Sequence, residues 1–556
     1  MIVSDPATQR WYRHAVIYCV DVDSYQDSDG DGWGDLHGLT SRLGHLARLG
    51  VTCLWLNPIH PTPNRDDGYD VSDYYGVDPR LGSSGDLVEL VQTAADYGIR
   101  VILDLVINHT SNQHPWFRAA CESKDSPFRD WYVWSDTEPP DIHQGVVFPG
   151  EQDTTWSFDE KADAWFFHRF YDFQPDLNWS NPLVRAEMLK VLAYWLQVGI
   201  AGFRVDAAPF VLEQVQPGVD PGPLDFAILD QWRQHLQWKR SDAVLIGEAN
   251  VSPQDVPKYF GSGPTQADRM HMLFDFTLNP RLFLALARRE AEPLLEGLRN
   301  SPPRPMHGQW ATFLRNHDEL DLSRLTQEQR AEVFAAFGPQ KRMHLFERGI
   351  RRRLAPMLGN DRRHLELAYS LQFSMPGTPV LRYGEEIGMG ENLDLRGRDA
   401  FRTPMQWDAE PNAGFSTADP KALVRPVIDR GEYDYRRVNV MAQRTDPDSL
   451  LTWFQRLISV RRECPEIGAG TVQIVDQGFP PGVVVHRADA ASGSLLLVHN
   501  LADEPAQLDL EGTGGVEMVE EVFADGMGDP LAGRLGKTEV APYGYRWIRI
   551  ARRPLA

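Results

Sequence analysis

Short apolar runs alternate with longer amphipathic stretches along most of this chain. Eight runs read as buried strands: 15–22, 51–56, 100–108, 202–207, 243–248, 272–276, 309–314 and 378–383. Stretches such as 85–97 and 182–198 repeat their apolar positions with a helical period. Strand and helix taking turns predicts a parallel α/β fold, and eight strands predict a closed (β/α)8 TIM barrel.

Two intervals break the rhythm. Residues 111–178 are rich in aromatics and proline with no long helical pattern. That is too long for a plain loop, so an inserted subdomain is expected after the third strand. Residues 321–363 are charged and helical in character, and 387–445 are rich in Gly and Asp. Both are expected to cover the same barrel face. From about 470 the pattern shortens to alternating runs, such as 482–486 and 494–498, separated by turn residues. This predicts a C-terminal antiparallel β-domain. The expected division is a barrel over 1–110 and 179–465, an inserted subdomain over 111–178, and a C-terminal β-sandwich over 466–556. No internal repeat or low-complexity segment is present.

Three of the apolar runs end on an acid: Asp206, Glu248 and Asp318. The carboxyl ends of barrel strands are where such folds keep their catalytic groups. Two carboxylates flanking one glycosidic bond can do acid, base and nucleophile work, which points to an enzyme acting on sugars. Any one of these acids alone reads better as a helix cap or a surface ion pair. Arg204 precedes Asp206 by two residues, so both side chains point to one face of the strand, and the guanidinium keeps Asp206 charged.

A second acidic feature follows the first strand. Asp27, Asp29, Asp31 and Asp35 fall at alternating positions around Gly30, Gly32 and Trp33. Oxygen donors at this spacing, with the Trp33 carbonyl, suit a structural Ca²⁺. The run begins like an EF-hand loop, but its twelfth position is Gly38 rather than Glu, and it follows a strand. Without a cation the carboxylates would repel one another; the other reading is a solvated acidic turn.

Composition narrows the partners. The formal net charge of -22 argues against nucleic acid and anionic membrane surfaces, and a neutral substrate fits it. The plain alternative for the charge is solubility. The 16 Trp include possible stacking partners for sugar rings, although most belong in a core. Four cysteines in 556 residues make no disulfide framework, and Cys19 and Cys53 fall in predicted strands as buried thiols. A reducing cytoplasm is the expected setting. Residues 1–6 lack the pattern of a secretory leader, and no apolar stretch approaches the ~18 residues of a membrane span.

The segments 104–110, 202–206, 247–250 and 315–318 resemble, in order and spacing, the four signature segments of the α-amylase family of glycoside hydrolases, family 13. Within it, 65–70, 174–178, 349–363, 386–390 and 402–407 are most similar to the trehalose synthases, glucosylmutases that interconvert maltose and trehalose. The resemblance runs from Trp11 to about Arg461.

It implies retaining transfer in which Asp206 is the nucleophile, Glu248 the acid and base, and Asp318 the stabiliser of the transition state. By the same resemblance His109 and His317 bind hydroxyls of the glucose being transferred. Asp66 and Arg402 close its non-reducing end, Tyr69 stacks on the ring and Phe170 walls the pocket. A second Ca²⁺ site is implied at Asn108, Asp176, Glu213 and the carbonyls of Phe210 and Val211. The expected partner is a small neutral α-glucoside, and several similar enzymes associate, so a homodimer is expected. The chain departs from trehalose synthases at Asp23, Tyr25, Arg382 and Glu385, near the substrate-facing rim. An α-glucosidase or transglucosidase acting on short α-glucosides is the second expectation, and a non-catalytic carbohydrate-binding protein the third.

Overall fold

The computed structural model describes residues 10–261, 268–511, 513, 518–527, 532–533 and 535–551. The eight expected runs form one closed parallel barrel. Its strands are β1 (Ile17–Val20), β2 (Cys53–Leu56), β3 (Arg100–Leu105), β4 (Gly202–Val205), β5 (Val244–Gly247), β6 (Met272–Phe274), β7 (Gln309–Phe313) and β8 (Thr378–Arg382). Each strand pairs with its neighbours in sequence, and β8 closes onto β1 with Ile17 opposite Val380.

The period of two in each strand sorts its side chains. One row points inward and forms a dry cluster of Ile17, Cys19, Cys53, Trp55, Ile102, Val244, Ile246, Met272, Phe274, Ala311, Phe313 and Val380. The other row, including Tyr18, Leu54, Leu103, Phe203 and Leu245, packs against the surrounding helices. Followed to the carboxyl ends, the inward row changes character. It continues from Cys19 to Asp21, from Trp55 to Asn57, from Ile102 to Asp104, from Ile246 to Glu248, and from Val380 to Arg382. Arg204 and Asp206 stand at the same level on β4. The floor of the barrel mouth is therefore charged and its interior is not.

The helices begin and end where local chemistry dictates. Ser84–Asp96 starts with a capping box between Ser83 and Asp86. Pro182–Val198 has Asn181 as its cap, Pro at the first turn, and Gly199 at φ 114 to end it.

Residues 111–178 hold the helix Pro115–Glu122 and a three-stranded sheet of Trp134–Ser135, Ala164–Phe167 and Trp156–Asp159. Within 321–363 the chain makes the helix Gln327–Phe337 and then a short hairpin, His344–Leu345 with Gly349–Ile350, which also pairs with Leu320–Asp321. The hairpin tip is not helical as its composition suggests. Phe346 and Glu347 both take left-handed backbone, at φ 52 and 58.

Among the described residues after Thr471 every strand pairing is antiparallel. Six strands form one sheet in the order Thr471–Ile474, Val483–Ala490, Gly493–Asn500, Tyr545–Ala551, Met518–Ala524 and Ala532–Gly533; Ala506–Asp509 and Lys537–Val540 form a second. The large sheet is bound to the barrel by buried polar contacts. His499 Nε2 and Trp547 Nε1 both meet Ser370 Oγ at 2.9 Å, and His486 Nε2 meets the Ser374 carbonyl at 3.0 Å. The four cysteines are free and buried. No helix among the described residues is long and apolar enough to cross a membrane. Residues 1–6 lie outside the described residues.

Candidate functional site

The charged end of the inward row builds the site. Arg204 is buried beneath it and holds three carboxylates. Its Nη1 donates to Asp104 Oδ1 at 2.7 Å and to Asp206 Oδ1 at 2.6 Å, and its Nη2 donates to Glu248 Oε2 at 2.6 Å. Arg204 stands opposite Asp104 on β3 and Ile246 on β5, so barrel register alone brings these groups together. One guanidinium thus places Asp206 and Glu248 beside each other. Ala207, immediately after Asp206, takes φ 46, and its N–H donates to Glu248 Oε2 at 3.2 Å. A left-handed alanine costs ~1–2 kcal/mol, a strain of the kind that gathers at functional sites.

The electrostatics separate the acids. Burial pushes the Glu248 carboxyl up to about 7 and Asp206 up to about 6, with Arg204 pulling both the other way. Asp318 goes in the opposite direction. Burial raises it too, but Arg398, His317 and Arg402 outweigh that and hold it well below the usual carboxylate range. Arg398 Nη1 lies 3.2 Å from Asp318 Oδ1, and His317 Nε2 lies 3.1 Å from Oδ2. His109 and His317 are both lowered to about 4 by burial, so both are neutral near pH 7.

Above these groups is a cavity of about 470 Å³, within the ~300–1,000 Å³ usual for small-ligand sites. Asp206, Glu248, Asp318, Asp66, Tyr69, His109, Phe170 and His317 all line it. Tyr69 is fixed from both sides, its hydroxyl donating to Asp104 Oδ2 at 2.9 Å and meeting His317 Nε2 at 2.7 Å. Asp66 accepts from Gln174 Nε2 at 2.8 Å. Arg204 lies below the cavity floor. Arg402 lines a neighbouring cavity together with Asp66 and reaches Asp318 Oδ1 at 3.5 Å. It is buried behind the wall, donating to the His317 carbonyl at 2.6 and 2.9 Å and pairing with Asp67.

Several site residues escape sequence reasoning. Asp104 was within reach, because it heads the quoted segment 104–110 and shares the inward row. Asp67 was also within reach, since it lies in the segment 65–70; Arg398 and Phe148 had no signal, lying in segments without periodicity and arriving by tertiary folding. Phe148 comes from the inserted subdomain and stacks on Phe346 of the hairpin at 4.5 Å, while Arg348 Nη1 donates to the Val147 carbonyl at 2.6 Å. Subdomain and hairpin so meet over the cavity. The rim departures are matched inside the chain: Asp23 pairs with Arg425 at 2.9 Å, Arg382 pairs with Asp21, and Glu385 accepts from Tyr369 at 2.6 Å. Tyr25 is buried against Trp407.

Of the acidic loop, Asp27, Asp29 and Asp35 bring carboxylate oxygens within 4.8 Å of one another. Asp31 is outside that triplet; its Oδ1 accepts the Trp33 N–H at 2.7 Å. Backbone N–H groups of Gly30 and Gly32 donate to Asp27 at 2.7 and 2.9 Å, which folds the loop around the acids. Of the second expected set, Asn108 Nδ2 donates to Asp176 Oδ2 at 3.0 Å, and burial pushes Asp176 up to about 7. Phe210 and Val211 lie in a short helix just before Glu213, but Glu213 is paired with Arg169.

Comparisons with known proteins agree with this geometry. The family model described as alpha amylase, catalytic domain, matches residues 19–346 and 346–470. The chain is 43% identical over 511 residues to the trehalose synthase/amylase TreS of Mycobacterium tuberculosis strain H37Rv, covering 91% of this chain and 85% of that one. It is 40% identical to the trehalose synthase of Pimelobacter sp. strain R48, covering 97% and 96%. Among solved structures, trehalulose synthase MutB from Pseudomonas mesoacidophila MX-45 superposes with a TM-score of 0.78 at 25% identity, covering 97% of this chain and 99% of that one. With its barrel, its three strand-end acids and a catalytic-domain match over most of its length, the chain belongs to the α-amylase family.

Proposed function

We propose that this protein transfers a single glucosyl unit with retention of configuration, and that its reaction is the intramolecular interconversion of maltose and trehalose. The observation that carries the reading is the pairing of Asp206 and Glu248 on one buried guanidinium, in a cavity bounded by Asp66, Arg398 and Phe148, with Phe346 stacked behind Phe148. The kinship with proteins named trehalose synthase supports the particular sugars.

In the first step Asp206 attacks the anomeric carbon. The glycosidic C–O bond breaks, an ester to Asp206 forms, and the Glu248 proton goes to the departing oxygen. The freed glucose then turns and presents its anomeric hydroxyl in place of its 4-hydroxyl. Glu248 takes that proton back as the new C–O bond forms and the ester to Asp206 breaks. No atom is gained or lost. Asp318, held ionised by Arg398 and His317, stabilises the positive charge that develops at the sugar ring. Water entering at the ester stage would give two glucoses instead, so how well the cavity excludes water decides the product.

The loop of Asp27, Asp29 and Asp35 fits a hard cation with oxygen donors, and we assign it a structural Ca²⁺. The second set fits less completely: Asp176 is short of positive charge, but a cation there has to draw Glu213 away from Arg169. The four unbridged cysteines suit a reducing cytoplasm. Association as a homodimer completes the reading, and sedimentation tests it.

The test is incubation with maltose and with trehalose separately, followed by NMR, with Asp206→Asn as control. Each sugar should convert into the other with little glucose, and the variant should lose at least ~10⁴-fold in kcat. Glucose as the sole product would replace the isomerase reading with that of an α-glucosidase.

A further inference from the structure

Beside the catalytic cavity lies a second one of about 830 Å³, and the two share only Asp66 and Arg398 among the residues that line them. The second cavity is lined by groups that suit a sugar ring: the half-buried edge of Tyr171, Glu151 and Asp394 as acceptors, and Arg396 as an exposed donor. Nothing in the transfer of a single glucosyl unit uses it.

Arg398 is the long side chain of the shared wall. Its Nε donates to Glu319 Oε2 at 2.9 Å and its Nη1 pairs with Asp318 at 3.2 Å. Its guanidinium carbon lies 5.5 Å from the Phe148 ring centre and 5.4 Å from that of Phe346. The side chain so spans from the catalytic acid to the aromatic contact over the cavity. Asp66, by contrast, is tied back by Gln174. A long side chain fixed at its head by two carboxylates is a plug that holds its place without backbone support.

We propose that Arg398 is a specificity-determining residue for chain length: it bars the second cavity to a sugar ring attached to the glucosyl unit. With the plug removed, the transferred group becomes a maltosyl unit, its outer ring seated in the second cavity. The chemistry is otherwise unchanged, with the ester still formed at Asp206 and the leaving oxygen still departing past Glu248. This rests on the α-glucosyl transfer proposed above.

The experiment compares p-nitrophenyl α-glucoside with p-nitrophenyl α-maltoside. Both carry the same leaving group and place the same demand on Asp318, so weakening Asp318 alone lowers both alike. The wild type should release nitrophenolate from the glucoside only. In Arg398→Ala the ratio of kcat/KM for the maltoside over the glucoside should rise about tenfold or more, with intact maltose as the co-product. Arg398→Gln should move it the same way, guarding against a variant too damaged to assay. Adding Arg396→Trp, which refills the second cavity, should return the ratio toward wild type. An unchanged ratio in both variants, or loss of both activities together, overturns the proposal. A wild type inactive on the glucoside and on maltose would instead overturn the reading of the reaction itself.

Discussion

At Arg204 a single side chain touches three acids, and two of them, Asp206 and Glu248, need opposite protonation. Asp206 must be ionised to attack, and Glu248 must carry a proton to give away. Activity should therefore fall as pH drops through about 6, where Asp206 gains its proton, and fall again as pH rises through about 7, where Glu248 loses its own. The two limbs belong to the pair, so kcat/KM should trace a narrow bell, and a plateau reaching well into alkaline pH would contradict the assignment. Glu248→Gln separates the roles further. Loss of the proton donor should cost ~10²–10⁴-fold on maltose. The burst of nitrophenolate from p-nitrophenyl α-glucoside should suffer far less, because that leaving group needs no proton. Asp206 and Glu248 were legible in the sequence because each stands at the end of an apolar run, and the run fixes where it stands; Asp318 lies past β7 and was legible through the segment 315–318. Arg398 and Arg402 were not equally so: the first had no signal, and the second, marked by the segment 402–407, takes its place through contacts to Asp67, the His317 carbonyl and Asp318 that no pattern encodes.

Among the elements, the hairpin of His344–Leu345 and Gly349–Ile350 carries the clearest cost. Its tip holds Phe346 and Glu347 in left-handed backbone, at ~1–2 kcal/mol each. What holds them is the stack on Phe148 and the bond from Arg348 to the Val147 carbonyl. Phe346→Ala should release the tip and admit water. The glucose share of the products should rise several-fold while maltose consumption continues, as product analysis would reveal. A variant with an unchanged product ratio would show that the stack is not the seal. The acidic loop makes a different prediction. Removing divalent cations should lower the melting temperature, and adding Ca²⁺ at 100 times its Kd should restore ~2.7 kcal/mol of stability. Asp29→Asn should blunt that response, measured by thermal unfolding with and without chelator. The loop was legible because its acids repeat at a fixed spacing. The hairpin was not, since its charged composition suggests helix and only the contact with a distant subdomain selects the turn.

For the whole molecule, the joint between barrel and C-terminal sheet is built on neutral histidines. Burial lowers His486 to about 4 and His499 well below its ordinary 6.5. The unfolded chain takes up these protons from about 6.5 downward and the folded chain does not. Stability is therefore full above about pH 6.5 and is lost as pH falls toward about 4, at ~1.4 kcal/mol per pH unit for each histidine. Exchanging both for Gln should flatten the fall of melting temperature over that window, and a slope that stays as steep would place the protons elsewhere. At this scale the sequence was informative about the barrel, because eight apolar runs with helices between them admit few other closures. It was silent on how the terminal sheet docks, which rests on side-chain contacts such as those to Ser370 and not on any pattern. The closure itself has one more consequence. Strand β1 finds its second partner in β8, so Ile17 waits for Val380. At the ~5–20 residues per second of synthesis, that wait on the ribosome is on the order of a minute. Throughout it the nascent chain carries an open sheet edge ready to pair with a stranger, so the yield of soluble enzyme in a cell should depend on chaperones that shield this half-made barrel, and on slower growth, more than on the stability of the finished fold.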